Sequence, residues 1–176
     1  MVLFDTTFLS LLLHPGSNPP LGSDGNPVKR CKDRIENLIQ LLSEKKTKII
    51  IPTPVLSEIL VLSGKSGPDY LSAINDRACF EIKSFDQKAA IEAATQIREA
   101  MSGGDKKAAA VGTWAKVKFD RQIVAIAKVE GVQTIYSDDQ DVEAYAKAVG
   151  IKVITVEQLA LPPPEQLELN EQKSDK

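Results

Sequence analysis

The stretch Ile49-Ile50-Ile51-Pro52-Thr53-Pro54 decides the fold. Three consecutive isoleucines are typical of a strand that is buried on both faces, and Pro52 ends that strand because it has no N–H to donate to a neighbouring strand. Thr53 is predicted to cap a helix that has Pro54 in its first turn. A buried strand that leads directly into a helix is one unit of a parallel α/β sheet.

The same alternation continues on both sides of this stretch. Short apolar runs predict four further strands, at residues 2–4, 79–84, 132–136 and 151–154. Apolar residues at helical spacing predict helices at residues 8–13, 28–45, 53–63, 70–76, 86–101, 120–131 and 142–149. Strands that alternate with helices in this way indicate a parallel sheet covered by helices.

The length of 176 residues and the hydrophobic content of 43% predict one domain, over residues 1–160. Residues 14–27 are rich in Gly, Pro, Ser and Asn and are predicted to form a loop insertion. Residues 161–176 are predicted to form a Pro-rich, flexible tail. No signal-peptide pattern is present and the apolar residues 9–13 are too few to span a bilayer, so we expect a soluble cytoplasmic protein.

The composition limits the chemistry that this chain can perform. One His and two Cys, Cys31 and Cys79, cannot supply a four-ligand zinc site. The 22 Lys and Arg residues against 24 Asp and Glu residues give a net charge of −2, so no overall positive field attracts nucleic acid. Binding of a polyanion therefore has to be local or mediated by a metal ion.

Three separate acids occupy positions where a carboxylate needs an explanation. Asp5 directly follows the first strand, and Glu58 lies beside the apolar stripe of its helix. Asp120 is predicted at the amino end of a buried helix, at the head of a row of apolar residues. Each acid also has a purely structural interpretation: a helix cap for Asp5, a side chain that reaches water for Glu58, and a first-turn acid for Asp120.

A fourth acidic group, Asp138, Asp139 and Asp141, follows the fourth strand. One of these three acids is expected only to cap the next helix. If the strand order is 3-2-1-4-5, Asp5 and Asp139 end neighbouring strands, and the helices that carry Glu58 and Asp120 flank the same crevice. A cluster of oxygen ligands suits Mg²⁺ or Mn²⁺, which lowers the pKa of a bound water, so the pattern indicates phosphodiester hydrolysis.

Four segments resemble the motifs of the PIN-domain ribonucleases, and the resemblance covers residues 1–155. The segments are Leu3-Phe4-Asp5-Thr6-Thr7, Pro54-Val55-Leu56-Ser57-Glu58-Ile59, Asp120-Arg121-Gln122-Ile123-Val124-Ala125-Ile126-Ala127 and Ile135-Tyr136-Ser137-Asp138-Asp139. The resemblance implies a PIN-like three-layer α/β/α sandwich whose central parallel sheet has the strand order 3-2-1-4-5. It also implies an endoribonuclease that uses Mg²⁺ or Mn²⁺ and leaves a 5′-phosphate and a 3′-hydroxyl.

Site residues follow from the same resemblance. It implies four catalytic and metal-binding acids, which are Asp5, Glu58, Asp120 and Asp139. Asp139 is preferred to Asp138 because the family's last motif has Thr or Ser two places before its acid, and Ser137 is that residue here. Asp138 and Asp141 are second-tier candidates for metal binding. The supporting hydroxyl residues are Thr6, Thr7 and Ser137.

Substrate contacts are predicted between residues 105 and 121, where basic residues outnumber acids. The candidates are Lys106, Lys107, Lys116, Lys118 and Arg121 for RNA phosphates and Trp114 for stacking on a base. The competing interpretation is a solvated charged surface with Trp114 in the core. Apart from the insertion at residues 14–27, the chain resembles the toxin members of bacterial toxin–antitoxin pairs. This resemblance implies an antitoxin-like inhibitor and a homodimer as partners.

Other functions stay open at this point. A PIN-like protein that binds RNA or a partner without cleaving RNA would have the same sequence motifs. Val2-Leu3-Phe4-Asp5 also resembles the first motif of haloacid-dehalogenase phosphatases, but Thr7 stands where that chemistry needs an acid. A receiver-like domain would bind Mg²⁺ at strand ends as well, but it has no role for Glu58 or Asp120.

Overall fold

The strands run parallel in a single sheet in the computed structural model, which describes residues 1–102 and 114–163. They are β1 (Val2–Phe4), β2 (Ile49–Pro52), β3 (Phe80–Lys83), β4 (Thr134–Tyr136) and β5 (Lys152–Ile154). Their order in the sheet is β3-β2-β1-β4-β5, and every pairing is parallel. The predicted strand order 3-2-1-4-5 is therefore confirmed.

Helices cover this sheet. They are α1 (Thr6–Leu13), α2 (Cys31–Glu44), α3 (Thr53–Ser63), α4 (Gly67–Asn75), α5 (Gln87–Ser102), α6 (Trp114–Val129) and α7 (Gln140–Ala148). Helices α1 to α4 pack on one another, as do α5 to α7. Because crossovers between parallel strands are right-handed, these two groups cover opposite faces of the sheet and give an α/β/α sandwich. Within residues 1–102 and 114–163, no helix is long and apolar enough to cross a membrane.

The centre of the sheet is the centre of the hydrophobic core. Leu3 of β1 pairs with Ile50 of β2 on one side and with Ile135 of β4 on the other, and all three side chains are fully buried. The whole of β2 is buried, as the isoleucine run predicted, because helices cover both of its faces. The edge strands β3 and β5 are only partly buried.

The predicted cap of α3 was wrong. Pro52 is the residue before the helix, and Thr53 is already its first residue. The Thr53 hydroxyl is not used as a cap; it accepts a hydrogen bond of 3.1 Å from the backbone N–H of Phe85. Pro54 lies in the first turn as predicted, where its missing N–H costs nothing.

Helix α6 begins earlier than the sequence pattern suggested. We predicted its start near Asp120, but it already includes Trp114, so Asp120 lies in the second turn and not at the amino end. The reason is that Val117 is buried and extends the apolar row of Val124 by two turns towards the amino terminus. At the other end Gly131 adopts a positive φ of 68°, which lets the chain turn back into β4.

The insertion at residues 14–27 is anchored to the carboxyl-terminal part of the chain. The backbone N–H and the hydroxyl of Ser23 donate hydrogen bonds of 3.0 and 2.8 Å to the carboxylate of Glu157. The Arg34 side chain donates to the carbonyl of Leu159. The predicted flexible tail lies outside the described residues from position 164 onwards, so the domain limit at residue 160 stays a prediction.

Candidate active site

A cleft of about 450 Å³ opens at the carboxyl ends of the central strands. It is lined by Asp5, Thr6, Thr7, Glu58, Lys116, Phe119, Asp120, Ile123, Asp139 and Val142. The structure thus brings together all four acids that the sequence singled out, from the ends of β1 and β4 and from helices α3 and α6. Convergence of side chains at this edge follows from the parallel topology, in which loops and helix starts after the strands share one end of the sheet.

Asp5 is the most deeply buried acid of the cleft, with 2% of its surface exposed. It caps α1: its Oδ1 accepts hydrogen bonds from the backbone N–H groups of Thr7 (3.0 Å) and Phe8 (3.2 Å) and from the Thr7 hydroxyl (2.7 Å). Its other oxygen, Oδ2, accepts a hydrogen bond from the Ser137 hydroxyl. Asp5 therefore both caps α1 and lines the cleft.

Burial raises the pKa of Asp5 to about 7, from an ordinary value of 3.8. Hydrogen bonds from Ser137, Thr7 and Phe8 act in the opposite direction, and the nearby charge of Asp139 adds to the increase. Desolvation is the larger effect because the donors satisfy the oxygens without neutralising the negative charge. A cation placed in the cleft would offset this cost.

Two further hydroxyls complete this side of the cleft. Thr6 donates a hydrogen bond to Oε2 of Glu58, which joins the start of α1 to α3. Ser137, besides donating to Asp5, accepts a hydrogen bond of 3.0 Å from the backbone N–H of Asp139. We call Asp5, Thr6, Thr7, Glu58 and Ser137 the hydroxyl side of the site.

Opposite lies a group of three acids around one ammonium, which we call the lysine side: Lys116, Asp120, Asp139 and Asp141. The Nζ of Lys116 is 2.9 Å from an oxygen of each of the three carboxylates. Asp139 also caps α7, since its Oδ1 accepts from the backbone N–H groups of Asp141 (2.8 Å) and Val142 (3.4 Å). The capping acid is therefore Asp139, but it also lines the cleft, so the prediction that the capping acid of this segment does nothing else was wrong.

The pKa values on the lysine side reflect competition between burial and charge. Burial raises the pKa of Asp120 to about 6, although Lys116 acts to lower it, and the neighbouring Asp139 and Asp141 raise it further. Burial alone would lower the pKa of Lys116, but the hydrogen bonds to Asp141, Asp139 and Asp120 raise it well above its ordinary value. Lys116 is therefore fully protonated at neutral pH.

Asp138 turns away from the cleft. Its Oδ1 accepts a hydrogen bond of 3.2 Å from the backbone N–H of Val156, and its own N–H donates to the Thr7 hydroxyl at 3.1 Å. Burial raises its pKa. Of the two neighbouring acids in the sequence, Asp139 is thus the one that faces the cleft.

The side chains of the cleft fit a hard divalent cation. One oxygen from each of Asp120, Asp139 and Asp141 lies within 4.8 Å of the others, a spacing at which three carboxylates can bind one ion. Carboxylate and hydroxyl oxygens are the ligands that Mg²⁺ and Mn²⁺ prefer. Asp5 lines the same cleft, and its described hydrogen-bond donors are neutral groups. Asp5 and these three acids together could hold a metal ion.

The structure places the predicted substrate-binding residues in different surroundings. Arg121 is 6% exposed, and its guanidinium lies 4.2 Å from the ring centre of Tyr145, so it is packed between α6 and α7. Lys118 is exposed on α6, whereas Lys116 lies among the acids of the cleft. Lys106, Lys107 and the side chain of Trp114 lie outside the described residues.

The place of Lys116 among the three carboxylates was not predicted from the sequence. A signal was present, because Lys116 and Asp120 are four residues apart and such pairs face each other on a helix. The contacts with Asp139 and Asp141 join α6 to α7, so they cannot be predicted from the sequence pattern of one helix.

Comparison with solved structures identifies the fold of this chain. The sequence matches no protein-family model and no curated protein. Among solved structures, the chain is similar to VapBC2 from Rickettsia felis bound to a DNA fragment from its promoter, with a TM-score of 0.59, 18% identity, and 88% of this chain and 98% of that chain covered.

Two other solved structures are also similar to this chain. FitAB bound to IR36 DNA matches with a TM-score of 0.59 and 17% identity over 91% of this chain and 98% of that chain. VapC20 from Mycobacterium tuberculosis, a toxin that cleaves the sarcin-ricin loop, matches with a TM-score of 0.54 and 15% identity over 86% of this chain and 96% of that chain. At these identities the likeness shows the fold, which is the PIN-like α/β/α sandwich that the motifs implied.

Proposed function

We propose that this protein is a ribonuclease that hydrolyses phosphodiester bonds with the help of Mg²⁺ or Mn²⁺. The observation that carries the proposal is the cleft itself, where Asp5, Glu58, Asp120 and Asp139 meet at the carboxyl ends of the strands of a PIN-like sheet. Four acids facing one small cleft repel one another, which costs free energy unless protonation of a carboxylate or a nearby cation offsets the repulsion. Phosphodiester hydrolysis is the reaction for which this type of site is suited.

The protein's own residues would perform two tasks. Asp5, Glu58, Asp120 and Asp139 would hold the metal ion, and Thr6, Thr7 and Ser137 would orient the carboxylates of Asp5 and Glu58 by the hydrogen bonds described above. A bound Mg²⁺ or Mn²⁺ would lower the pKa of a water and stabilise the charge on the leaving oxygen. The raised pKa of Asp5 supports this assignment, because a carboxylate that is costly to ionise gains most from a nearby cation.

RNA is the proposed substrate. VapC20, which shares the fold, is a toxin that cleaves the sarcin-ricin loop, and the motifs of this chain resemble those of ribonucleases. On this chain, Lys118 on the exposed face of α6 is the remaining described candidate for a phosphate contact. The predicted contacts of Lys106, Lys107 and Trp114 form part of the proposal as well.

An RNA cleavage assay tests the proposal. Purified protein is incubated with a mixture of single-stranded and structured RNA in the presence of Mn²⁺, Mg²⁺ or EDTA. We expect cleavage with either metal ion, none with EDTA, and products that carry a 5′-phosphate. Asp120→Asn should reduce the rate by at least about 100-fold, the scale seen when one charge-stabilising group is removed from an active site, while the circular dichroism spectrum stays that of the wild type.

The same assay separates the alternatives. Cleavage by Asp120→Asn at the wild-type rate would show that the proposed site is wrong. Absence of cleavage together with metal-dependent thermal stabilisation that Asp120→Asn loses would favour a PIN-like protein that binds RNA or a partner without cleaving RNA. A contaminating nuclease is excluded if the variant, purified in the same way, is inactive.

We further propose an antitoxin-like protein as a partner. VapBC2 and FitAB, which share the fold, were both solved bound to DNA fragments. Because this chain also resembles the toxin members of toxin–antitoxin pairs, we expect a protein encoded beside it to co-purify with it and to suppress cleavage. Light scattering on the purified chain tests the predicted homodimer in the same preparation.

A further inference from the structure

Lys116 occupies an unusual position for a basic residue in a site expected to bind metal. Its Nζ is 2.9 Å from the Oδ2 atoms of Asp120, Asp139 and Asp141. The side chains of Asp120 and Asp141 are only 9% and 12% exposed, whereas the side chain of Lys116 is 41% exposed. The ammonium therefore lies on the outer side of the acids and compensates their charge.

We propose that Lys116 is the resident counter-cation of the lysine side, which holds the three carboxylates together before metal binding and leaves them when a divalent cation binds. The proposal rests on the proposed function, in which Asp120 and Asp139 hold the metal ion, and it adds Asp141, which offers an oxygen within 4.8 Å of theirs. It makes Lys116 a positioning residue that also sets the metal affinity.

The first argument is that the ammonium and the metal ion compete for the same oxygens. Carboxylate oxygens bind Mg²⁺ at about 2.0–2.1 Å, and three oxygens that accept hydrogen bonds from one ammonium at 2.9 Å cannot all turn to such an ion without weakening these bonds. A dication and an ammonium that share three ligands would also repel each other at close range. When a metal ion binds, Lys116 therefore has to move away from these oxygens.

The second argument is that Lys116 is built to move. Its side chain ends in a compact charge on a flexible four-carbon stem, unlike the planar fork of an arginine. With 41% of the side chain exposed, it can swing towards solvent without opening the core. Lys116 lines the same cleft as Asp5 and Glu58, so the released ammonium stays beside the place where a backbone phosphate would lie.

The exchange has two measurable consequences. A variant that lacks the ammonium should bind the metal ion more tightly, because the ion no longer has to displace a competitor. We expect about a tenfold lower Kd, which corresponds to about 1.4 kcal/mol. The same variant should be less stable without metal, with a melting temperature about 2–4 °C lower, because three neighbouring carboxylates lose their counter-charge.

Isothermal titration calorimetry with Mn²⁺ tests the proposal on the wild-type protein, on Lys116→Met and on Lys116→Gln. Methionine keeps the apolar stem and glutamine keeps a polar end, so one of them serves if the other folds poorly. The matched control is Lys128→Met, which removes another lysine from the same helix. Lys128 forms an ion pair of 2.9 Å with Glu92 outside the cleft, and its side chain is 47% exposed.

The outcomes distinguish this inference from the proposed function. Tighter Mn²⁺ binding by both Lys116 variants, with Lys128→Met equal to the wild type, supports the exchange. If the wild type binds Mn²⁺ and the Lys116 variants bind it equally or more weakly, the exchange is overturned and the metal site stands. If neither the wild type nor any variant binds Mn²⁺, the proposed metal site fails and the exchange fails with it.

A second measurement uses the wild-type protein alone. Amines are acylated only when they are free and unprotonated, so Lys116 should react slowly with an N-hydroxysuccinimide ester in EDTA. Addition of Mg²⁺ should increase its labelling several-fold, measured by peptide mass spectrometry, while the labelling of Lys128 stays constant. Unchanged or reduced labelling of Lys116 at saturating Mg²⁺ would show that the lysine stays with the carboxylates.

Discussion

The hydroxyl side and the lysine side of the cleft hold the same kind of group by different means. On the hydroxyl side, neutral donors bind Asp5 and Glu58: the hydroxyls of Thr6, Thr7 and Ser137. On the lysine side, one ammonium binds three carboxylates. Neutral donors fix the direction of a carboxylate and leave its charge in place, whereas an ammonium compensates the charge.

The pKa values of Asp5 and Asp120 differ between the two sides. Asp5 has the full set of hydrogen bonds that a capping carboxylate can accept, and its pKa still rises to about 7. Asp120 has an ammonium at 2.9 Å, and its pKa rises only to about 6 although it is flanked by two other acids. Asp5 is also the more deeply buried of the two, at 2% against 6% exposed. The lower pKa of Asp120 therefore reflects both its weaker desolvation and its ammonium partner, whereas the described partners of Asp5 are neutral donors.

The largest expected effect is the pH dependence of stability, which should come mainly from the hydroxyl side. The pKa of Asp5 is raised in the folded state, so the folded state binds more protons than the unfolded state and stability is lost as the pH rises towards 7. We expect the free energy of unfolding of the metal-free protein to fall by about 2–3 kcal/mol between pH 5 and pH 8 because of Asp5. Urea unfolding in EDTA at a series of pH values measures this.

Asp5→Asn is the matched variant for this prediction. Asparagine keeps the capping oxygen and cannot ionise, so the variant should be more stable than the wild type at pH 8 and should have a flatter pH profile. The raised pKa of Asp120 acts in the same direction, so Asp120→Asn should flatten the profile too, but less. A wild-type protein that becomes more stable between pH 5 and pH 8 would contradict the assignment.

The local part of this site could be predicted from the sequence. Asp5 directly follows the apolar run of β1, and its capping bonds are made with Thr7 and Phe8, two and three residues away. The strand order was implied by the resemblance of four motifs to the PIN-domain ribonucleases, whereas the alternation of strands and helices by itself predicts only a parallel sheet. Contacts between residues that are close in the sequence can be predicted from the sequence pattern.

The remainder depends on contacts between elements that are far apart in the sequence. Lys116 meets Asp139 and Asp141 only because α6 packs against α7, and the lysine was therefore assigned to the substrate. Arg121 was assigned to the substrate for the same reason, although it is packed against Tyr145. A sequence gives the charge of such residues, but the direction of their side chains is set by the packing of two helices.

A smaller effect is expected from Ser137→Ala. Ser137 is 1% exposed, donates to Asp5 and accepts from the N–H of Asp139, so removal of its hydroxyl takes a donor from Asp5 and an acceptor from this N–H. The expected loss at pH 8 is about 1–2 kcal/mol. Because the lost hydrogen bond favoured the charged form of Asp5, the pKa of Asp5 should rise further and the loss should be smaller at pH 5.

Ser57→Ala is the control for this serine. Ser57 is exposed on α3, and its hydroxyl donates to the carbonyl of Pro54 at 2.8 Å, away from the acids of the cleft. Its replacement should change the stability little and by the same amount at both pH values. Urea unfolding of both variants at pH 5 and pH 8 checks the difference, and a pH-independent loss in Ser137→Ala would mean that the serine does not act through Asp5.

The smallest effect is expected from Thr6→Val, which separates orientation from stability on the hydroxyl side. Thr6 and Glu58 are both only half-buried, so water can replace the lost hydrogen bond, and the stability should change by less than about 1 kcal/mol. Cleavage should slow by up to about fivefold, because Glu58 keeps its charge and loses only its fixed direction. Thr6→Ser, which restores the hydroxyl, should restore the rate. If Thr6→Val cleaves RNA as fast as the wild type, orientation of Glu58 by Thr6 contributes nothing to catalysis, and the charge of Glu58 alone determines its part in the site.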